Sequence, residues 1–357
     1  MHRFLHRTLV IICILFAIGL LLSYLSVYIN PEKFWILALV GLAYPFLLAI
    51  NAIFLVYWVI RWKKLFLIPL ITIIIGANHI FNFVQLPFTS KSDTTKPEIK
   101  LLSYNINLFR LYSWSNQSPT FNNIASFAKK SKSNIICLQE YYWGNKKLSE
   151  EQALALFNMN SHIEYSLHSL SRSYGIATFT QFPIVNKGEL KFENTANACI
   201  YTDIKVDEDT IRVYNCHLQS IKLKERDLNF LLNQEHNNES STITQILNVS
   251  SKYKNALKKR AQQVNMLYEH MIKCKYPVII CGDFNDSPFS YTYHKLTRKL
   301  NDTFKEAGEG LSNTYSRFFP YRIDYILHSK HFKAINFSSP RVKYSDHFPV
   351  VGSFIIE

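Results

Sequence analysis

The sequence predicts a membrane-inserted N-terminal region followed by one large α/β domain. Three observations predict it. Long charge-free apolar stretches fill the first quarter of the chain, a short polar segment follows, and β-branched strand-like runs then mix with helical ones. The chain has 357 residues, 48% of them hydrophobic, enough for one large domain and an additional region.

Stretches 8–29, 34–60 and 65–86 contain no Asp, Glu, Lys or Arg. A helix needs about 20 such residues to cross a bilayer core. All three are expected as transmembrane helices, although Asn78, His79, Asn82 and Gln85 crowd the second half of the third. Trp35, Tyr57, Trp58 and Trp62 fall near span ends, as interfacial aromatics do. A cleaved signal peptide is the rival for the first stretch, but no clean small-x-small site follows it. Arg3 and Arg7 precede the first stretch, and Arg61, Lys63 and Lys64 separate the second from the third. Both groups should face the cytoplasm. If the third stretch crosses, the large domain lies outside the cytoplasm, which is the arrangement expected here. If it lies along the interface, the domain stays inside.

Residues 89–98, TSKSDTTKPE, read as a linker, and residues 99–357 as the large domain. Residues 1–99 carry 8 Lys and Arg against 3 Asp and Glu; the rest carries 32 against 23. A basic domain beside a membrane favours anionic partners such as lipid headgroups, nucleic acid or other phosphate compounds. Solvated surface lysine explains any single charge equally well. Nothing in the sequence specifies a protein partner. The six cysteines form no close C-x-x-C pair, which argues against a zinc ribbon. Cys137, Cys216 and Cys281 sit inside apolar runs and read as buried thiols.

Strand-like runs cover 99–107, 134–140, 174–180, 198–206, 210–218, 276–284, 322–329 and 347–356. Residues 122–130 and 250–275 read as helices. In the second, Ala256, Leu257, Val264, Leu267, Tyr268 and Met271 trace an apolar face. The polar stretch 218–250 reads as an insertion or long loop.

The unusual polar residues gather at strand ends. Asn105 and Asn107 in SYNIN, Asn215 and His217 in YNCHL, and Asp283 and Asn285 in GDFND each lie two apart, on one face of a strand. Glu140 ends CLQE, Asp324 lies in RIDYI, and Asp346 and His347 precede the last strand. Singly, each is an ordinary turn, cap or core residue. Together they make a set rich in carboxylate and amide oxygens with two histidines. Oxygen donors select hard cations such as Mg²⁺ or Mn²⁺. The set also supplies what phosphate-ester hydrolysis needs: a metal ligand in Glu140, a group to orient or deprotonate water in Asp283, and amide donors in Asn105 and Asn285. His217 and His347 would handle charge and protons, and Asp324 would hold an imidazole tautomer. Arg322, in FFPYR, is a candidate phosphate contact, with loop packing as the equal alternative.

The ordered fragments SYNIN, CLQE, YNCHL, GDFND, YRIDYIL and YSDHFPV resemble the endonuclease/exonuclease/phosphatase superfamily of DNase I-like proteins. The resemblance covers residues 98–357. It implies a four-layer α/β sandwich of two mixed sheets flanked by helices, with the site at one edge. Carried over by motif, it implies that Glu140 and Asp346 lie at the metal and Asn105 near metal and phosphate; read from the residues, Asn107 is a further candidate at the metal and Asn215 and Arg322 are candidate phosphate contacts. The resemblance assigns catalysis to His217, Asp283, Asn285, Asp324 and His347. Some branches carry Asp where this chain has Asn107. The expected activity is membrane-anchored, divalent-metal-dependent hydrolysis of a phosphate ester in nucleic acid or in a phospholipid or sphingolipid headgroup. The alternative is a non-catalytic, membrane-anchored interaction protein that retains the sandwich.

Overall fold

The computed structural model describes residues 2–86, 98–110, 120–144, 154–155, 157–169, 172–222, 227, 239–316 and 321–357. The expected linker falls almost entirely outside them, as do Phe318 to Pro320 and much of the expected insertion. The chain divides into two compact units. The first comprises Met1–Phe81, Gln219–Gln262 and Phe289–Lys295; the second comprises Asn82–Leu218, Gln263–Pro288 and Leu296–Glu357.

In the first unit, helices α1 (His2–Ser26), α2 (Pro31–Leu42), α3 (Tyr44–Ile60), α4 (Leu67–Ile75) and α5 (Ala77–Ile80) follow one another. Among the described residues, one helix, spanning Arg3–Ser26, is long and apolar enough to cross a membrane, and α2 with α3 makes a second candidate bent by 47°. Pro45 sits in the first turn of α3 and lacks the backbone N–H that would continue the ladder of α2, so the run breaks there. The expectation of three transmembrane helices is corrected at the third stretch. There the helical run is Lys64–Ile75, with α4 its last 9 residues, and it ends at Gly76, which also starts the 4-residue α5. A run of that length is roughly 18 Å long, well short of a bilayer core. The Tyr24 ring packs so tightly on Gly76 that a Cβ there would lie 2.0 Å from it. The extracytoplasmic expectation rested on that third crossing, and the broken stretch removes its support.

Among the described residues, the second unit holds fourteen strands. They are β1 (Val84–Gln85), β2 (Ile99–Asn105), β3 (Ile135–Gly144), β4 (Asn160–Ser169), β5 (Arg172–Thr180), β6 (Ile184–Leu190), β7 (Ala198–Val206) and β8 (Asp209–His217). After them come β9 (Val278–Asp283), β10 (Asn301–Asp302), β11 (Gly310–Leu311), β12 (Asp324–His328), β13 (Phe332–Ser338) and β14 (Val350–Ile356). Two six-stranded sheets form, ordered β10-β12-β9-β8-β7-β6 and β13-β14-β2-β3-β5-β4. Each is mixed, with one parallel pair: β2 beside β3, and β8 beside β9.

Period-2 side-chain alternation explains the layers. Ile99 and Leu101 of β2, Ile135 and Cys137 of β3, Ile211 and Val213 of β8, Ile279 and Cys281 of β9 and Ile326 of β12 join one buried cluster. The two sheets therefore pack face to face. Full burial of each such Ile or Leu contributes about 1.5–3 kcal/mol. The opposite face of β2 and β3, with Leu102, Tyr104, Ile136 and Leu138, meets Ile124, Ala125 and Ala128 of the helix α6 (Thr120–Lys130). On the other sheet, His270 Nδ1 meets the Tyr214 hydroxyl at 2.7 Å, which seats the end of the long helix α7 (Glu239–Met271). The layers run helix, sheet, sheet, helix. Cys137, Cys216 and Cys281 are buried free thiols, and burial pushes Cys216 and Cys281 well above the usual thiol range.

Candidate active site

The site follows from the same alternation carried to the strand ends. In β2 the inward-facing positions run 99, 101, 103 and 105, so Asn105 is the last. In β8 they end at His217, in β9 at Asp283, and β12 begins on Asp324. The pairing register sets His217 opposite Asp283, and Asp283 opposite Asp324. Parity would aim Glu140 outward with Leu138. Instead, the β3–β5 register shifts between Gln139 and Tyr141, and Glu140 takes φ 55°. That bulge turns its carboxylate to the inner set. Bulges commonly re-aim a side chain beside a site.

Asp283 is the hub. It is 1% exposed, and its Oδ2 accepts from Asn105 Nδ2 at 2.9 Å and from Asn285 Nδ2 at 3.1 Å. Its Oδ1 accepts from the Asn285 backbone N–H at 2.8 Å. His217 Nε2 lies 3.7 Å and His347 Nε2 3.8 Å from its Oδ2. Asn285 Nδ2 also donates to Leu218 O at 2.9 Å, which holds this residue at φ 52°. Gly282 permits the turn: its φ is 131°, and a Cβ would lie 1.9 Å from Cys216 O. Phe284 returns to the core against Tyr325, ring centroids 4.9 Å apart.

Glu140 Oε1 stands 3.5 Å from Asn105 Nδ2 and 3.9 Å from His217 Nε2. His347 Nδ1 meets Asp324 Oδ2 at 3.0 Å, and Asp324 N–H donates to Thr314 Oγ1 at 3.0 Å. Asn107 Nδ2 donates to Asp346 Oδ1 at 2.7 Å, and Ser345 Oγ fastens the same loop to Asn105 O at 2.8 Å. The structure thus gathers Asn105, Glu140, His217, Asp283, Asn285, Asp324 and His347, with Asn107 paired to Asp346 beside them. Among the described residues, Asp283, Asp324 and His347 form a group that could hold a metal ion, with one ligand atom each within 4.8 Å of the others.

Two expected phosphate contacts are corrected. Arg322 is 2% exposed. It forms a two-point ion pair with Asp302 at 3.0 and 2.7 Å, donates to Asn82 O at 3.0 Å, and lies between the Phe304 and Tyr325 rings. Its guanidinium is buried as structure. Asn215 is fully buried between the sheets, one inward step below His217. It accepts from Gln139 Nε2 at 2.7 Å and donates to Ala177 O at 2.9 Å. Residues not singled out in the sequence also serve the site: Thr314 and Ser345 as supports, Tyr315 with its ring 5.1 Å from His347, and Tyr174. Burial raises the Tyr174 phenol, and the Glu140 and Asp283 charges raise it further. Only its neighbour Gly175, inside a strand, hinted at close packing there.

The electrostatics are asymmetric. Burial pushes the Asp283 carboxyl above its ordinary range, against the pull of His347 and His217. Burial alone would lower the His347 imidazole, but Asp324, Asp283 and Asp346 together raise it to about 10. A raised imidazole contributes stability that is complete below its unfolded value of roughly 6.5 and is lost as pH rises through the folded value. The raised Asp283 carboxyl also loses stability as pH rises, so it does not offset that loss. In metal-free buffer, the thermal midpoint should therefore fall steadily between pH 7 and pH 10. A midpoint flat across that window would contradict the charged His347–Asp324 pair.

A sequence model of the Endonuclease/Exonuclease/phosphatase family matches residues 102–347, a span that holds every site residue described above. The chain belongs to the endonuclease/exonuclease/phosphatase family. Residues 6–83 match a separate domain of unknown function (DUF8431). A search of curated proteins finds no match. Solved structures share the family fold. A family protein from Bacteroides thetaiotaomicron is 16% identical, with a TM-score of 0.52, covering 74% of this chain and 100% of its own. The human Nocturnin catalytic domain, solved with a bound sulfate anion, is 18% identical with a TM-score of 0.52, covering 73% and 94%. A family protein from Beutenbergia cavernae is 15% identical with a TM-score of 0.51, covering 72% of each chain. At these identities the likeness is one of fold.

Proposed function

We propose that this protein is a membrane-attached, divalent-metal-dependent phosphoesterase that hydrolyses a phosphate ester by attack of water. One observation carries the reading. The buried carboxylate of Asp283 is held by two amides and faces two imidazoles, one of them backed by Asp324. Family membership supports it, since members generally cleave phosphate esters. The hydropathy of residues 3–26 supports membrane attachment.

The donor set fits a hard cation: carboxylate and amide oxygens predominate, and the nearby thiols are buried and protonated. Glu140, with Asn107 and Asp346, would hold Mg²⁺ or Mn²⁺. Asp283, Asp324 and His347 are the other possible seat, but there His347 already neutralises the carboxylates. When bound, the ion would polarise a phosphoryl oxygen. The remaining chemistry falls to the chain's own groups. Asp283 orients the water and takes its proton, and its raised pKa makes it a better base near neutrality. As the new P–O bond forms, the amides of Asn105 and Asn285 donate to phosphoryl oxygens. The ester P–O bond breaks, and the leaving oxygen takes a proton from an imidazolium. Asp324 keeps His347 protonated and correctly turned.

The test uses the full chain in detergent. It should hydrolyse bis(p-nitrophenyl) phosphate, lose at least 95% of that rate (an order-of-magnitude expectation for a required metal) in EDTA, and recover with Mg²⁺ or Mn²⁺. Plasmid DNA and vesicles of phosphoinositide or sphingomyelin then separate the nucleic-acid and lipid-headgroup readings. Wild-type protein that cleaves none of these with either metal would end the enzyme reading and favour the interaction protein.

A further inference from the structure

Strand β5 runs between two bulged neighbours. On one side the register with β3 shifts between Gln139 and Tyr141; on the other the register with β4 shifts between Tyr165 and Leu167. Both shifts adjoin the same β5 residue, Gly175, which pairs with Tyr141 and with Tyr165. The β4 backbone presses on it so closely that a Cβ there would lie 2.0 Å from Glu164 O. Bulges sharpen the local twist, re-aim side chains and gather beside sites. The β3 bulge turns Glu140 to the inner set. Next to Gly175 on β5, at the same place, stands Tyr174.

The extra residues lie in β3 and β4, so the alternation of β5 itself holds to its end. Thr178 faces inward: its Oγ1 lies 3.8 Å from Cys137 Sγ and 3.4 Å from Asn215 Nδ2. From that level, one inward step along β8 reaches His217, and two along β5, past Ile176, reach Tyr174. Tyr174 therefore stands at the rim of the site, on the β5 side of Glu140 and His217. The electrostatics agree: burial raises the phenol, and the Glu140 and Asp283 charges raise it further. Tyr174 is half-buried, and among the described residues its hydroxyl has no hydrogen-bond partner. A phenol keeps its proton at neutral pH and can donate. The other donors are shared. Asn105 Nδ2 and Asn285 Nδ2 both donate to Asp283 Oδ2, and Asn285 Nδ2 also to Leu218 O. Arg322 and Asn215 are spent on structure.

We propose that the Tyr174 hydroxyl is a phosphate-binding group of this site and donates a hydrogen bond to a non-bridging oxygen of the bound phosphate ester. The paired bulges around Gly175 are what aim it there. The proposal rests on the phosphoesterase reading, but phosphate binding can be measured without turnover.

The experiment uses the full chain in detergent with Mg²⁺. Wild type and Tyr174→Phe are compared by calorimetric titration with inorganic phosphate and by hydrolysis of bis(p-nitrophenyl) phosphate. Tyr174→Phe keeps the ring and removes only the hydroxyl, so its thermal midpoint should match wild type. Its Kd for phosphate and its KM for the diester should both rise about 10- to 100-fold, the scale of a hydrogen bond to a charged group, with kcat within about threefold. If Tyr174→Phe does not fold, Tyr174→His and Tyr174→Leu carry the contrast: the first keeps a donor and should bind phosphate more tightly than the second. A ring that served packing alone would leave Kd and KM of Tyr174→Phe at their wild-type values, and that result would overturn the proposal. So would a fall in kcat with Kd and KM unchanged. If wild type binds phosphate but hydrolyses nothing, the enzyme reading fails and the titration alone decides Tyr174. Wild type that binds no phosphate would overturn the proposal as well.

Discussion

Asp283→Asn should lower kcat/KM on any phosphate-ester substrate by about 10²–10⁴-fold, the range that a positioned proton acceptor supplies. The substitution keeps size and shape. Its one amide oxygen can still accept from Asn105 Nδ2 and Asn285 Nδ2, while the bond from the Asn285 backbone N–H is lost. A carboxylate buried beside Asp324 is itself costly, and its removal offsets that loss, so the loop should stay folded and the thermal midpoint close to wild type. Loss of activity with retained stability is the signature of a chemical role. Loss of both would make Asp283 a structural residue, and retention of activity would assign the base elsewhere.

Arg322→Ala should do the opposite. Asp302 would remain buried without its two-point partner, a loss of about 3–5 kcal/mol for a broken buried ion pair. The Asn82 carbonyl would lose its donor at the same time. Chemical denaturation should show the unfolding free energy lowered by that amount. If Arg322 instead bound phosphate, the substitution would raise KM and spare stability. Asp302 also caps the helix Thr303–Ala307 through Phe304 N–H, so truncating either partner should loosen that corner.

These two residues mark where sequence reasoning reaches and where it stops. Asp283 was legible because Asn105, Glu140, His217, Asp324 and His347 recur at strand ends, and inward parity brings those ends together. Arg322 was misplaced because an arginine beside aromatics looks the same in sequence whether it faces solvent or a buried carboxylate. Asn215 shares a face with His217, as expected, but parity does not say how deep a residue lies. The strands missed in sequence are mostly edge strands: β4, β6, β10 and β13 terminate the two sheets. Edge strands carry charged and polar residues that blunt further pairing, and this hides their period. NSHIEYSLHS and IVNKGEL are of that kind. Hydropathy counted apolar residues in the third N-terminal stretch but could not see Tyr24 pressed against Gly76. Nor could it foresee that Phe289 belongs with the N-terminal helices.

The central claim is that Glu140 from one sheet and Asp283 from the other serve a single hydrolytic centre. A double-mutant cycle on kcat/KM with Glu140→Gln and Asp283→Asn tests it most directly, because groups acting as a unit lose their effect together. The double variant should fall within about threefold of the worse single variant. Losses that multiply would mean that the two carboxylates act independently, and the account of the site would fail.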